Sequence, residues 1–319
     1  MQATLNSNNS GYTPVVNCDT TLHVVNEQLE NGNIAGGLDD LFDDLEARRH
    51  QEPSQWPSFA SAYRNHPICA LLHQDPFTYR AFSKPRGYAG DAVMMDYIYC
   101  LGEGRQAAHE ATPIGREIFK YMGTRPSAKA VRYRRRLLAG LIDRVARKGS
   151  ASVLAIAAGH LREVELSSAV KNGELAQFVA FDQDDASLAE VQRSYAEYGI
   201  QTVRGSVRQI LAGKTNLGEH DLVYAAGLFD YLDAQVAATL TQQMWDMVRP
   251  RGMMLIPNFM VGSSDRGYME SFMDWHLIYR TEAAMWELAS GIPKEQIADC
   301  QVFEDDLDAI NYLLVSKRN

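Results

Sequence analysis

Apolar positions along the chain follow one period at first and another later. In the first third, Leu38, Leu41 and Leu45, and then Met94, Met95, Ile98 and Tyr99, recur every three to four residues, the spacing that puts side chains on one face of a helix. This predicts a helical N-terminal region over residues 18–126, preceded by an Asn-, Ser- and Thr-rich tail at 1–17 that is expected to be mobile. Residues 127–148 continue the pattern through Val131, Leu137, Leu138, Leu141, Ile142 and Val145, with Ser127 placed to cap the helix and Gly149 to stop it. Short apolar runs then take over: 152–157, 178–181, 200–203, 221–226 and 253–256. Helical patterns separate them, which predicts a parallel sheet with helices on both faces. The last two runs, 301–304 and 310–315, flank a polar turn and read as a hairpin, so the sheet should close with an antiparallel pair.

Composition narrows the function classes. A length of 319 residues with 46% hydrophobic content supports a large buried core, and a net charge of -9 leaves no basic footprint for nucleic acid. The first residues lack the basic and apolar regions of a leader, and no apolar run reaches membrane-spanning length. The expectation is a cytoplasmic protein with no membrane partner. Cys18, Cys69, Cys100 and Cys300 are scattered without a CxxC pair, and His66, His73, His109, His160 and His276 show no metal-binding spacing; reduced thiols and no metal are expected. Arg132, Arg134, Arg135 and Arg136 fall mostly on the polar side of the 127–148 helix, as a solvated or carboxylate-paired face in a chain this acidic.

Two stretches carry candidate chemistry. The run 152–157 passes through Ala158-Gly159-His160-Leu161-Arg162-Glu163 into a helical pattern, and the next run ends in Asp182. A small-residue turn lets a ligand approach the backbone, and a carboxylate at the tip of the next strand can accept hydrogen bonds from both ribose hydroxyls. The second stretch, 82–91, holds Lys84, Pro85, Arg86, Gly87, Tyr88, Gly90 and Asp91. Its proline and glycines break the helix. The crowded charges suit a ligand-contacting lid, although a surface turn with solvated charges has the same composition.

The five-run alternation followed by a hairpin resembles the class I S-adenosylmethionine (SAM)-dependent methyltransferase fold, over about residues 127–317. The resemblance implies a Rossmann-like α/β sheet with an antiparallel C-terminal hairpin and a helical N-terminal lid or substrate region at 18–126, the SAM-binding domain being 127–319. It implies that Ala157, Gly159 and Leu161 hold the methionine part of the cofactor and that Asp182 grips the ribose. Ser206 and Val207 would lie by the adenine, and Ala226, Gly227 and Leu228 beside the transferred methyl. Arg249-Pro250-Arg251-Gly252 matches the turn before strand five. Ala155 stands where many members carry an acid for the methionine amino group; Arg162 or Glu163 is the substitute on offer. Residues 84–91, 227–232 and 274–280 further resemble a bacterial subfamily containing 3-hydroxy fatty acid methyl ester (quorum-signal) methyltransferases and azetidine-2-carboxylate synthases.

For methyl transfer to a carboxylate-bearing small metabolite, Lys84 or Arg86 would clamp the anion, with Tyr88 beside it. For cyclisation of SAM with release of methylthioadenosine, the nucleophile is SAM's own amine. Tyr88, Phe229 or Tyr231 would favour the sulfonium in either case, core packing being the alternative, more so for Phe229; the catalytic candidates are Tyr88 and, as bases, Asp230 and His276. A catalytically silent SAM-binding protein is the remaining reading. The acceptor and the oligomeric state stay open. Ile256-Pro257-Asn258-Phe259 lies on strand five, away from the position an amino-methyltransferase signature would occupy.

Overall fold

The computed structural model describes residues 19–319; the expected tail at 1–17 and Cys18 lie outside the described residues. Among the described residues, seven strands form one sheet in the order β3-β2-β1-β4-β5-β7-β6. They are β1 Ala151–Ile156, β2 Leu175–Asp182, β3 Gln201–Arg204, β4 His220–Tyr224, β5 Val248–Phe259, β6 Ile297–Glu304 and β7 Ile310–Lys317. The pairings among β1 to β5 are parallel, while β7 runs antiparallel between β5 and β6, with Leu255 opposite Leu314 and Val302 opposite Leu313. The expected closing hairpin is present. The chain order reverses between β1 and β4, where a doubly wound sheet opens a crevice at the strands' C-terminal ends.

Period-two alternation sorts the strand side chains. Val153, Ala155, Leu222, Tyr224 and Leu255 face one core, and Leu154, Ile156, Val223, Met254 and Ile256 face the other. The second face is covered by helices Ala234–Asp246 and Glu282–Leu288, through Ala237, Leu240, Met244 and Met285. The first face takes helix Pro126–Ala146 through Val131, Leu138, Ile142 and Val145, and the same core continues into the N-terminal helices at Leu22, Leu38, Leu41 and Met94. The helical region therefore shares its apolar interior with the sheet.

Three local expectations need correction. The β1 to β2 connection was expected to be helical, but it holds only the 3-10 turn Arg162–Glu165 and the short helix Ser168–Lys171. Leu161 at φ 52° turns the chain before any helix can propagate, and Asp143 collects the Ser167 and Ser168 hydroxyls and the Ala169 N–H. Helix Pro126–Ala146 starts one residue before Ser127, with Pro126 in its first turn, where a missing N–H costs nothing; the Ser127 N–H goes instead to Asp265 Oδ2 at 2.7 Å. Residues 249–252, expected as a turn, belong to an irregular start of β5, with a register shift against β4 and Arg251 at φ 64°. Among the described residues, no helix is long and apolar enough to cross a membrane.

Candidate active site

The turns after β1 to β4 open into a cavity of about 410 Å³, roofed by residues 88–99, helix Pro126–Ala146 and the segment 259–277, a size suited to one small-molecule ligand. After β1, Ala157, Gly159 and Leu161 all take left-handed φ of 52°, 56° and 52°. A Cβ on Gly159 would also press on the Ala92 Cβ at 3.2 Å, so both backbone angle and helix approach call for glycine. At the tip of β2, Asp182 accepts from the Gly159 N–H on Oδ2 and from the Asp184 N–H on Oδ1, each at 2.8 Å. One N–H on each oxygen leaves a lone pair on each for a ligand hydroxyl.

The loop 84–91 bridges the roof to the sheet. Lys84 ends helix Pro76–Ser83 at φ 48° and pairs with Asp274, which also receives Arg64. Arg86 reaches Asp184 at 2.9 Å and the Ser187 hydroxyl at 3.3 Å. Asp91 caps helix Ala92–Tyr99 and pairs with Arg80 at 2.8 Å. Tyr88 stands edge-on to Tyr231 at 6.4 Å between ring centres, and the Tyr231 hydroxyl accepts from the Trp275 indole N–H at 2.9 Å. Burial, then the charges of Asp182, Asp91 and Asp184, push the Tyr88 hydroxyl up to about 12. It stays protonated at neutral pH, as a donor and an aromatic face.

Of the residues predicted from sequence, Ala157, Gly159, Arg162, Asp182, Val207, Ala226, Gly227, Leu228, Tyr88, Asp230 and Tyr231 all stand on the cavity wall. Ser206, Lys84, Arg86 and His276 do not. Ser206 forms a capping box with Gln209, Lys84 and Arg86 are held by the ion pairs above, and His276 is exposed, 3.1 Å from Asp274. Arg162 reaches the wall with its guanidinium already engaged: Nε and Nη2 clasp Asp96 at 2.7 Å, and further bonds go to Glu190 at 2.9 Å and Tyr195 at 3.2 Å. His160 Nδ1 adds a 2.9 Å contact to Asp96. Burial alone would raise the Asp96 carboxyl, but hydrogen bonds from Arg162 and His160 hold it below the usual range. This cluster ties the roof helix Ala92–Tyr99 to the β1 turn.

Asp230 is buried, and its Oδ1 accepts the Phe259 N–H at 2.7 Å. Burial pushes its carboxyl up to about 6, against that bond and the charges of Arg134 and Arg280. Arg280 in turn braces the segment after β4 through the Phe229 and Leu232 carbonyls, at 2.7 and 2.5 Å. Asn258 is part of that brace, giving its amide to the Phe259 and Ile278 carbonyls.

Sequence reasoning missed Arg134, Tyr99, Tyr224 and Trp275 on the wall. The expectation of a solvated or carboxylate-paired arginine face fails on two of its four members: Arg134 is only 5% exposed, and Arg132 bonds the Ile98 and Gly123 carbonyls, whereas Arg135 pairs with the Glu165 carboxylate at 2.6 Å as expected. The signal was present: position 134 lies three after Val131 and four before Leu138, on the apolar stripe itself. Among the described residues no cluster of three metal-ligating side chains occurs, and Cys69, Cys100 and Cys300 are free thiols.

No protein-family model matches the chain, and no curated protein matches its sequence. Among solved structures, a possible exported protein from Bordetella parapertussis is similar at TM-score 0.55 and 15% identity, over 80% of this chain and 98% of that one. The CurJ carbon methyltransferase is similar at TM-score 0.50 and 11% identity, over 87% of this chain and 71% of that one. At these identities the likeness is one of fold, and the strand order, the C-terminal hairpin and the cavity at the strands' C-terminal ends are those of the Rossmann-like methyltransferase fold with a helical N-terminal region.

Proposed function

We propose that the protein is a SAM-dependent enzyme acting on a small metabolite, most simply a methyltransferase. The observation that carries this is Asp182, at the tip of β2 beside a left-handed small-residue turn, with one N–H on each carboxylate oxygen and its side chain lining a cavity of about 410 Å³. The donor set fits SAM along its length. Asp182 takes the ribose hydroxyls, Val207 flanks the adenine, Ala226 to Leu228 line the reacting carbon, and Tyr88 and Tyr231 present aromatic faces to a cation.

A bound SAM supplies a methyl carbon made electrophilic by the neighbouring sulfonium. The protein's part is to hold a nucleophile in line with that carbon and to exclude water. The roof does the second: Tyr88, Gly90 and Trp275 close over the cavity, locked by the Lys84 and Arg86 ion pairs. A carboxylate nucleophile needs no base, which matches a wall whose Tyr88 hydroxyl is held protonated.

One observation favours a second reading, cyclisation of SAM to azetidine-2-carboxylate with loss of methylthioadenosine. The two cations nominated to clamp an acceptor carboxylate, Lys84 and Arg86, are tied to Asp274 and Asp184 off the cavity wall; cyclisation requires no second substrate. Incubating the protein with SAM alone, then with SAM and small carboxylates, separates the readings by mass spectrometry. S-adenosylhomocysteine formed only with an added acceptor is the expected result. Methylthioadenosine together with azetidine-2-carboxylate from SAM alone, above a protein-free control, would establish cyclisation, and SAM that binds but survives both incubations would refute catalysis.

A further inference from the structure

The helical side of the catalytic cavity backs onto a second cavity of about 140 Å³ that the proposed function does not use. Phe77, Ile98, Met122 and Ala128 line both, and all four are buried, so a single layer of side chains parts the two spaces. Tyr97, Phe119 and Gly123 complete the outer wall, with Cys100 and Lys120 at an exposed rim. Apolar space of about 150 Å³ holds one benzene ring, and Phe77, Tyr97 and Phe119 offer such a ring aromatic neighbours.

Arg132 lines the same outer cavity, half-buried. It donates to the Ile98 carbonyl at 3.1 Å and to the Gly123 carbonyl, in the last turns of helices Ala92–Tyr99 and Pro113–Thr124. These bonds hold the guanidinium in place, use two of its five N–H donors, and offset only part of its charge through the helix ends. Among the described residues no carboxylate lies within ion-pair distance of Arg132, and the neighbouring charge that acts on it is the like charge of Arg136. Lys129, Arg132 and Arg136 follow one face of helix Pro126–Ala146, and Arg105 reaches the rim at the Cys100 carbonyl, 3.2 Å away. Of the carboxylates nearby, Glu117 is taken by Lys120 at 2.6 Å, and Glu103, which is exposed, acts on Tyr97. In a chain of net charge -9 this is a local excess of positive charge around an aromatic cavity. We propose that the outer cavity is a second ligand site, which takes a small aromatic carboxylate of benzoate size, its ring among Phe77, Tyr97 and Phe119 and its carboxylate on Arg132. The planar guanidinium suits a carboxylate as a two-bond fork. The site stands independently of the SAM reading.

An NMR titration of the full chain tests it with three probes: benzoate, benzyl alcohol, which keeps the ring without the charge, and cyclohexanecarboxylate, which keeps the charge without the flat ring. Benzoate should bind the wild type more tightly than either, and more weakly as salt rises. Arg132→Gln should weaken benzoate by about 10-fold, the worth of one charge-assisted contact, and should leave benzyl alcohol as in the wild type. Arg132→Lys, which keeps the charge without the planar fork, should lose less. A Cβ on Gly123 would meet no atom within 4 Å, so Gly123→Phe has room to fill the cavity and should exclude all three probes. S-adenosylhomocysteine affinity should match the wild type in each variant, which also reports an intact fold. A wild type that binds benzoate and no S-adenosylhomocysteine would refute the SAM reading and leave this site standing, thermal unfolding then reporting the fold. Unchanged benzoate affinity in Arg132→Gln overturns the carboxylate contact, and unchanged affinity in Gly123→Phe, or a wild type that ignores benzoate, overturns the site. Cyclohexanecarboxylate bound as tightly as benzoate overturns the aromatic class.

Discussion

The two ends of the cavity solve opposite problems. At the β2 tip, Asp182 has a backbone N–H on each oxygen, so its carboxylate is fixed before a ligand arrives. At the roof, Arg134 is buried against the Met95 sulfur and the Tyr99 hydroxyl, with Asp230 and Glu163 within electrostatic reach. The first end is preorganised by local backbone and the second by tertiary packing. Asp182→Ala probes the first end and should have the largest effect of any single change. On the function proposed above it removes two charge-assisted bonds to ligand hydroxyls, besides the cap on the β1 turn, which together cost about 3–6 kcal/mol of binding. Affinity for S-adenosylhomocysteine and methylthioadenosine should fall alike, by more than about 100-fold. An Asp182→Ala that spared methylthioadenosine would move the ribose away from the β2 tip.

Gly90 sharpens the comparison from the roof side. A Cβ there would meet the Tyr231 hydroxyl and the Trp275 ring, the same pair that the 2.9 Å indole bond holds in place. Gly90→Ala should overpack this contact and destabilise the fold by about 1–3 kcal/mol in a denaturant titration. Turnover should drop because the roof no longer seats, while methylthioadenosine affinity stays close to that of the wild type. Loss of that affinity would mean that the roof and the ribose end are not separable.

The strand half of the molecule was legible because its rules are local. Apolar runs, small turn residues and an acid at a strand tip place β1 to β7, the turn at 157–161 and Asp182 from the sequence alone. The roof obeys longer-range rules. Lys84 and Arg86 look free in sequence, but Asp274 and Asp184, 190 and 98 residues away, claim them. Arg162 is drawn off by Asp96 and Glu190 in the same way. Reading four arginines as one polar face hid Arg134, though its spacing from Val131 and Leu138 puts it inside. Charge-run reasoning fails wherever helical phase splits the run between solvent and core.

Asp230 provides the finest cut, because it stands on the cavity wall and titrates in an accessible range. Burial raises its carboxyl to about 6, so it is ionised above that pH and neutral below it. An ionised carboxylate on the wall attracts a sulfonium; a neutral one does not. SAM affinity should therefore fall as pH drops from about 7.5 to about 5, by about 3- to 10-fold, the worth of one partly screened charge pair. S-adenosylhomocysteine, whose sulfur is uncharged, shares every other ionisable group with SAM, so the ratio of the two affinities isolates the sulfonium. That ratio should favour SAM most at high pH. In Asp230→Asn it should be flat and fixed at the low-pH value, since the amide keeps the acceptor for the Phe259 N–H but carries no charge. A ratio that still changes with pH in Asp230→Asn would move the effect to another group on the wall, and would leave Asp230 as a brace for β5.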